Sequence, residues 1–228
     1  MRILCIADIH GDLEAAKKAR CYAAENDVDT ILILGDFPGH GVFHNTEMSR
    51  ETVVKVLDVF SGLRVLAIPG NCDPQMIPDL FEKRGVNLHE KVKEVDGIRI
   101  AGFGGSNVTP FSTPFEMGEE EIYQRMEKLT APLSGGGDRV ILAVHCPPKD
   151  TNCDQTLAGT HAGSSSIRKI IEEVQPALVV CSHIHEAGGA LDVIGRTNIA
   201  NIGRLANGNV GIVKADGKIE IELKNMKK

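Results

Sequence analysis

The chain has 228 residues, 42% hydrophobic and 25% charged, with 25 Lys and Arg against 31 Asp and Glu for a formal net charge of −6. This is the composition of a folded protein with a sizeable core. The acidic balance and an aromatic content of 4% disfavour a nucleic-acid-binding face built from basic stripes and stacking rings, and the longest apolar runs are strand-length, far short of the ~20 residues of a membrane-spanning helix.

Taken in order, the Val-, Ile- and Leu-rich runs Arg2–Ala7, Thr30–Leu34, Leu63–Ile68, Val140–Val144 and Ala177–Cys181 predict strands buried on both faces. Between them the apolar spacing predicts helices over 12–26, 47–61, 75–84, 116–130 and 164–175. The last is the clearest, because Ile167, Ile170, Ile171 and Val174 fall at i, i+3, i+4 and i+7. Asp12 and Ser164 are placed to cap the first and last of these helices. From 189 to 224 only strands are expected: Lys218–Lys224 alternates apolar and polar, and Asp216-Gly217 before it suits a hairpin turn. No repeat, linker or low-complexity tract divides the chain. One domain over residues 1–228 is expected, with β-α units first, antiparallel strands last, and helices outside two sheets. The segment 102–117, with two glycines and two prolines between Phe103 and Phe115, reads as a long loop at a site rim. Ser134–Gly137 reads as a flexible connector.

The six cysteines form no CxxC pair, which argues against a zinc ribbon or a thioredoxin-type site. The apolar start meets Asp8 and His10 before a signal-peptide core could develop. Dispersed thiols without an export signal lead us to expect a cytoplasmic protein.

The chemistry lies at the strand ends. The five buried runs end in Asp8-Ile9-His10, Gly35-Asp36, Gly70-Asn71, His145 and His183-Ile184-His185. In an open α/β sheet, ligands gather beyond the carboxyl ends of the strands. Seven donors can therefore converge: two carboxylates, one amide and four imidazoles. That exceeds what one tetrahedral zinc takes and favours two divalent ions sharing a carboxylate. Mixed nitrogen and oxygen donors suit Mn, Fe, Co, Ni or Zn. For the histidines taken singly, a structural role is the default, and Asp8, Asp36 and Asn71 would serve equally as turn residues.

D-x-H, G-D, G-N, His and H-x-H in this order resemble the calcineurin-like metallophosphoesterase superfamily, and within it the small prokaryote-type enzymes related to cyclic-nucleotide phosphodiesterases. The resemblance spans Asp8 to His185 and the trailing strands. It implies an α/β fold, a four-layer αββα sandwich of two mixed β-sheets flanked by helices. It further implies one metal on Asp8, His10, His185 and bridging Asp36, and a second on Asp36, Asn71, His145 and His183. The implied activity is hydrolysis of a phosphoester by attack of a metal-bridging hydroxide, with Asp36 and Asn71 in catalytic positions and Asn71 touching the phosphate through its amide nitrogen.

Two positions depart from that pattern. Gly70-Asn71-Cys72-Asp73 carries Cys where many relatives have His, which removes an imidazolium and makes a phosphodiester the expected substrate. Ser182 replaces the usual Gly before His183, with little effect expected. Cys72, as a buried apolar side chain or a thiol donor, and His161, as a loop histidine just before a helix start, are candidate substrate contacts; His40 and His44 are weaker ones, and His89 reads as structural. Expected partners are a small phosphoester, with no membrane and no nucleic acid, and a homo-oligomer is left open. A weak or inactive interaction module on the same fold is the rival, disfavoured by the intact set of seven.

Overall fold

The computed structural model describes residues 1–39, 41–42, 44–133 and 137–227. His40 and residues 134–136 of the expected connector lie outside the described residues. The chain runs β1 (Arg2–Ile6), α1 (Leu13–Glu25), β2 (Thr30–Ile33), α2 (Thr46–Val59), β3 (Arg64–Ala67), α3 (Ile77–Lys83), β4 (Lys91–Val95), β5 (Ile98–Phe103), β6 (Ser106–Asn107), β7 (Glu116–Met117), α4 (Glu119–Thr130), β8 (Val140–Val144), α5 (Ser165–Val174), β9 (Leu178–Cys181), β10 (Leu191–Ile194), β11 (Thr197–Asn201), β12 (Asn209–Asp216) and β13 (Lys218–Asn225). Short 3₁₀ turns punctuate the loops, including one at Leu205–Asn207, within the stretch expected to hold strands alone.

One sheet has the order β13-β12-β1-β2-β3 and the other β10-β11-β9-β8-β5-β4. The centre of each is parallel: β1, β2 and β3 in the first, β5, β8, β9 and β11 in the second. Antiparallel strands flank them, β12 and β13 at one edge of the first sheet, whose other edge is the parallel β3, and β4 and β10 at the two edges of the second. Both sheets are therefore mixed.

Side-chain alternation divides the core into three layers. Ile3, Cys5, Leu32, Leu34, Leu66 and Ile68 face Ile98, Ile100, Ile141, Leu178 and Val180 between the sheets. Their alternates Leu4, Ile6, Ile31 and Ile33 pack with Ala16, Ala19, Val53, Val56 and Phe81 of the first three helices. Leu142, Val144 and Val179 pack with Ile122, Met126, Ile167 and Ile170 of α4 and α5. Strands buried on both faces must be apolar throughout, which is why they read as unbroken runs. The layers are α, β, β, α, as expected. Asp12 accepts the Ala15 N–H at 2.9 Å and Ser164 that of Ile167 at 3.2 Å, so both expected caps are in place.

The hairpin β4–β5 lies outside the expected strands. Its alternation in Lys91–Val95 is that of an edge strand with one wet face, too short and too charged to stand out before its partner is known. Helix α4 begins at Glu119 rather than 116, because Glu116 and Met117 pair with Ser106 and Asn107 as a two-residue parallel ladder. No helix among the described residues is long and apolar enough to cross a membrane.

Candidate metal centre

The loops after β1, β2 and β3 are stitched to one another by backbone. Asp8 N–H donates to Gly35 O at 3.1 Å, and His10 N–H to Asp36 O at 2.9 Å. Asp73 accepts the N–H groups of Asp36, Phe37 and Gly70 at 2.9, 3.2 and 2.7 Å, tying the second loop to the third. The approach leaves no room for side chains: a Cβ on Gly35 would lie 2.1 Å from the Gly70 nitrogen. That contact is why glycine precedes both Asp36 and Asn71. Asp8, His10, Asp36 and His183 all adopt positive φ, at 48°, 47°, 57° and 68°. Each such non-glycine residue costs about 1–3 kcal/mol, and strain of this kind concentrates where side chains must be aimed.

The seven side chains anticipated from the strand ends close into a ring. Asp8 Oδ2 lies 3.6 Å from His185 Nε2, which lies 3.3 Å from His10 Nε2. His10 Nε2 is 3.7 Å from Asp36 Oδ2, while the other Asp36 oxygen, Oδ1, is 3.6 Å from His145 Nε2. Asn71 Oδ1 then meets His145 Nε2 and His183 Nδ1, each at 2.9 Å, and the His183 N–H returns to Asp8 Oδ2 at 3.3 Å. Single donor atoms of Asp8, His10 and His185 lie within 4.8 Å of one another, as do those of Asp8, Asp36 and His145. Asp8 thus reaches both halves of the ring, and Asp36 stands between them.

The donor set fits divalent cations. Asp8 is fully buried, and its Oδ1 has no hydrogen-bond partner; a lone carboxylate oxygen so placed carries a large desolvation cost unless a cation meets it. His145 is also fully buried and donates from Nδ1 to Leu34 O at 2.7 Å. Its Nε2 faces the Asn71 oxygen, and a cation held between two such donor atoms makes that contact favourable. Burial, with His145 beside it, lowers the His183 pKa to about 4, and burial also lowers that of His10. Neutral rings are what metal ligation needs. Burial opposes the ionisation of Asp8, but the His185 imidazole 3.6 Å away and the other nearby imidazoles hold its carboxyl below the usual range.

The structure gives the remaining candidates and their neighbours specific partners. Cys72 is buried beside Asp36, and burial with that carboxylate pushes its thiol up, so it remains protonated. The Asn71 amide nitrogen, expected to face phosphate, donates to Thr113 Oγ1 at 2.9 Å. The strained backbone falls at His183 rather than at Ser182, and the Ser182 hydroxyl donates to Asp8 Oδ2. Ser182 is therefore more than a tolerated replacement for glycine. His161 Nδ1 bonds the buried Asp154 at 2.6 Å, and among the described residues no hydrogen bond or ion pair joins it to the ring of seven. The helix start beyond it is closed to phosphate, because Glu119 accepts from Ser164 Oγ and from the N–H groups of Ser165 and Ser166 at 2.7, 3.2 and 2.8 Å. His89 is structural, with Nδ1 accepting the Gly104 N–H at 2.9 Å and the ring set between Phe103 and Phe115. Thr113 and Glu116 went unnoticed in the sequence, since nothing in the spacing of a loop links them to Asn71.

The model of the calcineurin-like phosphoesterase family matches residues 1–187. An uncharacterized protein of Methanocaldococcus jannaschii, MJ1162, is 34% identical over 205 residues, covering 88% of this chain and 87% of its own length. Among solved structures, a dimetal phosphatase from Danio rerio superposes with a TM-score of 0.71 at 11% identity, covering 99% of this chain and 96% of that one. An archaeal phosphodiesterase does so with a TM-score of 0.54 at 16% identity, covering 99% of both. At such identities the likeness is one of fold, and the fold serves both kinds of ester hydrolysis.

Proposed function

The chain belongs to the calcineurin-like phosphoesterase family, and from that premise we propose that it is a dinuclear metal-dependent phosphoesterase acting on small phosphodiesters. The observation that carries the reading is the splitting of Asp36, with one oxygen 3.7 Å from His10 and the other 3.6 Å from His145. A carboxylate so placed is built to be shared. Asp8, His10 and His185 would hold one ion with it, and Asn71, His145 and His183 the other. Bound there, two such ions supply Lewis acidity toward the phosphoryl oxygens and lower the pKa of coordinated water toward neutrality.

The chain's own groups prepare that chemistry. Leu34 O takes the Nδ1 proton of His145, and Pro38 O lies 3.2 Å from Nδ1 of His10, so both rings are oriented with Nε2 inward. The Ser182 hydroxyl and the His183 N–H take two lone pairs of Asp8 Oδ2 and leave Oδ1 open. The strained backbone at four ligands aims their side chains before substrate arrives. Cys72 occupies the position where an imidazolium would stand, and its raised thiol can offer only a weak, neutral hydrogen bond. A monoester or a poor leaving group needs a proton donor more than an activated diester does. Hence the diester preference. The ester is small and anionic, and two divalent ions held there would meet it with a local excess of positive charge although the whole chain is acidic.

The test compares turnover of bis-p-nitrophenyl phosphate and p-nitrophenyl phosphate by protein loaded with Mn²⁺, Ni²⁺ or Zn²⁺. Faster turnover of the diester is expected, and a clear monoester preference sinks the diester assignment. Asp36→Asn should lower metal-dependent turnover by about 10²-fold or more, as loss of transition-state electrostatics does. Retained turnover would remove the bridging role.

A further inference from the structure

Metal-ligating Asn71 presents either the oxygen or the nitrogen of its amide to the His145–His183 pair, and only the oxygen can bind a cation. Its other end lies against the 109–116 loop. Asn71 Nδ2 is 2.9 Å from Thr113 Oγ1, and Thr113 Oγ1 is 2.5 Å from Glu116 Oε1. Glu116 also receives Thr109 Oγ1 at 2.5 Å and the N–H groups of Thr113 and Thr109 at 2.7 and 3.1 Å. Burial opposes its ionisation, but the hydrogen bonds from Thr109 and Thr113 outweigh it and hold the carboxyl below its ordinary value. Ionised, it can only accept.

The direction of every bond in this chain follows. The Thr113 hydroxyl has one hydrogen, and Glu116 takes it. Thr113 Oγ1 is then left with lone pairs alone toward Asn71, so it selects the amide NH₂ and turns Oδ1 to the imidazoles. The Phe115 N–H, which donates to the Asn71 carbonyl at 2.9 Å, holds the loop at that distance. We propose that Glu116 and Thr113 are positioning residues whose hydrogen-bond relay sets the orientation of the Asn71 amide and thereby the affinity for the ion on the Asn71, His145 and His183 side. The relay rests on the metal reading above but concerns residues outside the seven ligands.

The experiment is a calorimetric titration of the metal-stripped full-length chain with Mn²⁺, with thermal melts beside it. Wild type should take up two ions. Thr113→Val removes the acceptor, and Glu116→Ala removes the carboxylate that takes the Thr113 hydrogen and so frees it to turn toward Asn71; each should weaken the second ion by about 10–100-fold, the usual effect of losing an orienting partner. The first ion should bind as in wild type, and Thr113→Ser should restore the second. Two ions bound unweakened in both Thr113→Val and Glu116→Ala would overturn the relay alone, as would an equal loss of both ions or no rescue by serine. A wild-type chain that takes up no pair of ions would overturn the metal reading, and the relay with it.

Discussion

Gly70→Ala would put a methyl group where the shared carboxylate now sits. A Cβ at position 70 would lie 2.1 Å from Asp36 Oδ1, 2.5 Å from Asp36 N and 2.7 Å from Asp36 Cγ, against ordinary contact beginning at 3.4 Å. Gly70 is not among the positive-φ residues, so the whole penalty is steric. It cannot be relieved by a rotamer change alone, since the Asp36 backbone is one of the obstacles and is itself bonded to Asp73. Overpacking costs about 1–3 kcal/mol, and a clash with fixed backbone belongs at the upper end. For a chain of this size each kcal/mol lowers Tm by about 2–4 °C, so the metal-free variant should melt about 6–12 °C below wild type. The carboxylate must also move by about 1 Å, several times the ±0.2 Å tolerance of metal–oxygen distances, so uptake of Mn²⁺ should fall in parallel. Gly118→Ala is the control, because nothing lies within 4 Å of its Cβ; a surface change of that kind shifts stability by about 0.5 kcal/mol or less. If scanning calorimetry showed Gly70→Ala melting with Gly118→Ala, or binding two ions undiminished, the close-approach argument would be refuted.

Ser182→Ala removes the hydroxyl donor to buried Asp8, and loss of a hydrogen bond to a charged group costs about 1.5–3 kcal/mol. Urea unfolding of the metal-free protein should record that loss, and no change would show that the Ser182 bond contributes nothing net. His89 is held neutral by burial, which lowers its pKa from 6.5 to about 4. The unfolded chain therefore binds the proton more readily, so this group's contribution is constant above pH 6.5 and turns against folding as pH falls toward 4, by about 3 kcal/mol at most. Wild type should lose correspondingly more stability between pH 7 and 4 than His89→Gln, measured by urea midpoints in chelator. Parallel pH profiles would show that His89 is not the group responsible.

The strand ends were legible in the sequence because a strand buried on both faces is a run of apolar residues, and the first side chain able to ligate a metal after it lies where the sheet stops. That rule located Asp8, Asp36, Asn71, His145 and His183, and alternation added His10 and His185. The β-α order of the chain also forecast two sheets with helices outside. The remaining features are set by contacts between distant segments. The β4–β5 hairpin acquires its meaning only from the β5–β8 pairing, which spans some 40 residues of chain. His161 looked available because it precedes a helix, yet Glu119, from another helix, already fills that helix's N-terminus. Ser182 reads in the sequence as a neutral substitute for glycine, yet its hydroxyl meets Asp8 from 174 residues away. Thr113 and Glu116 carried no signal at all, since an orienting bond depends on which loop folds over Asn71 and not on local spacing. Ligand identity follows local periodicity, which is written along the chain; ligand orientation follows contacts between distant segments, and those are decided only when the two sheets close on each other.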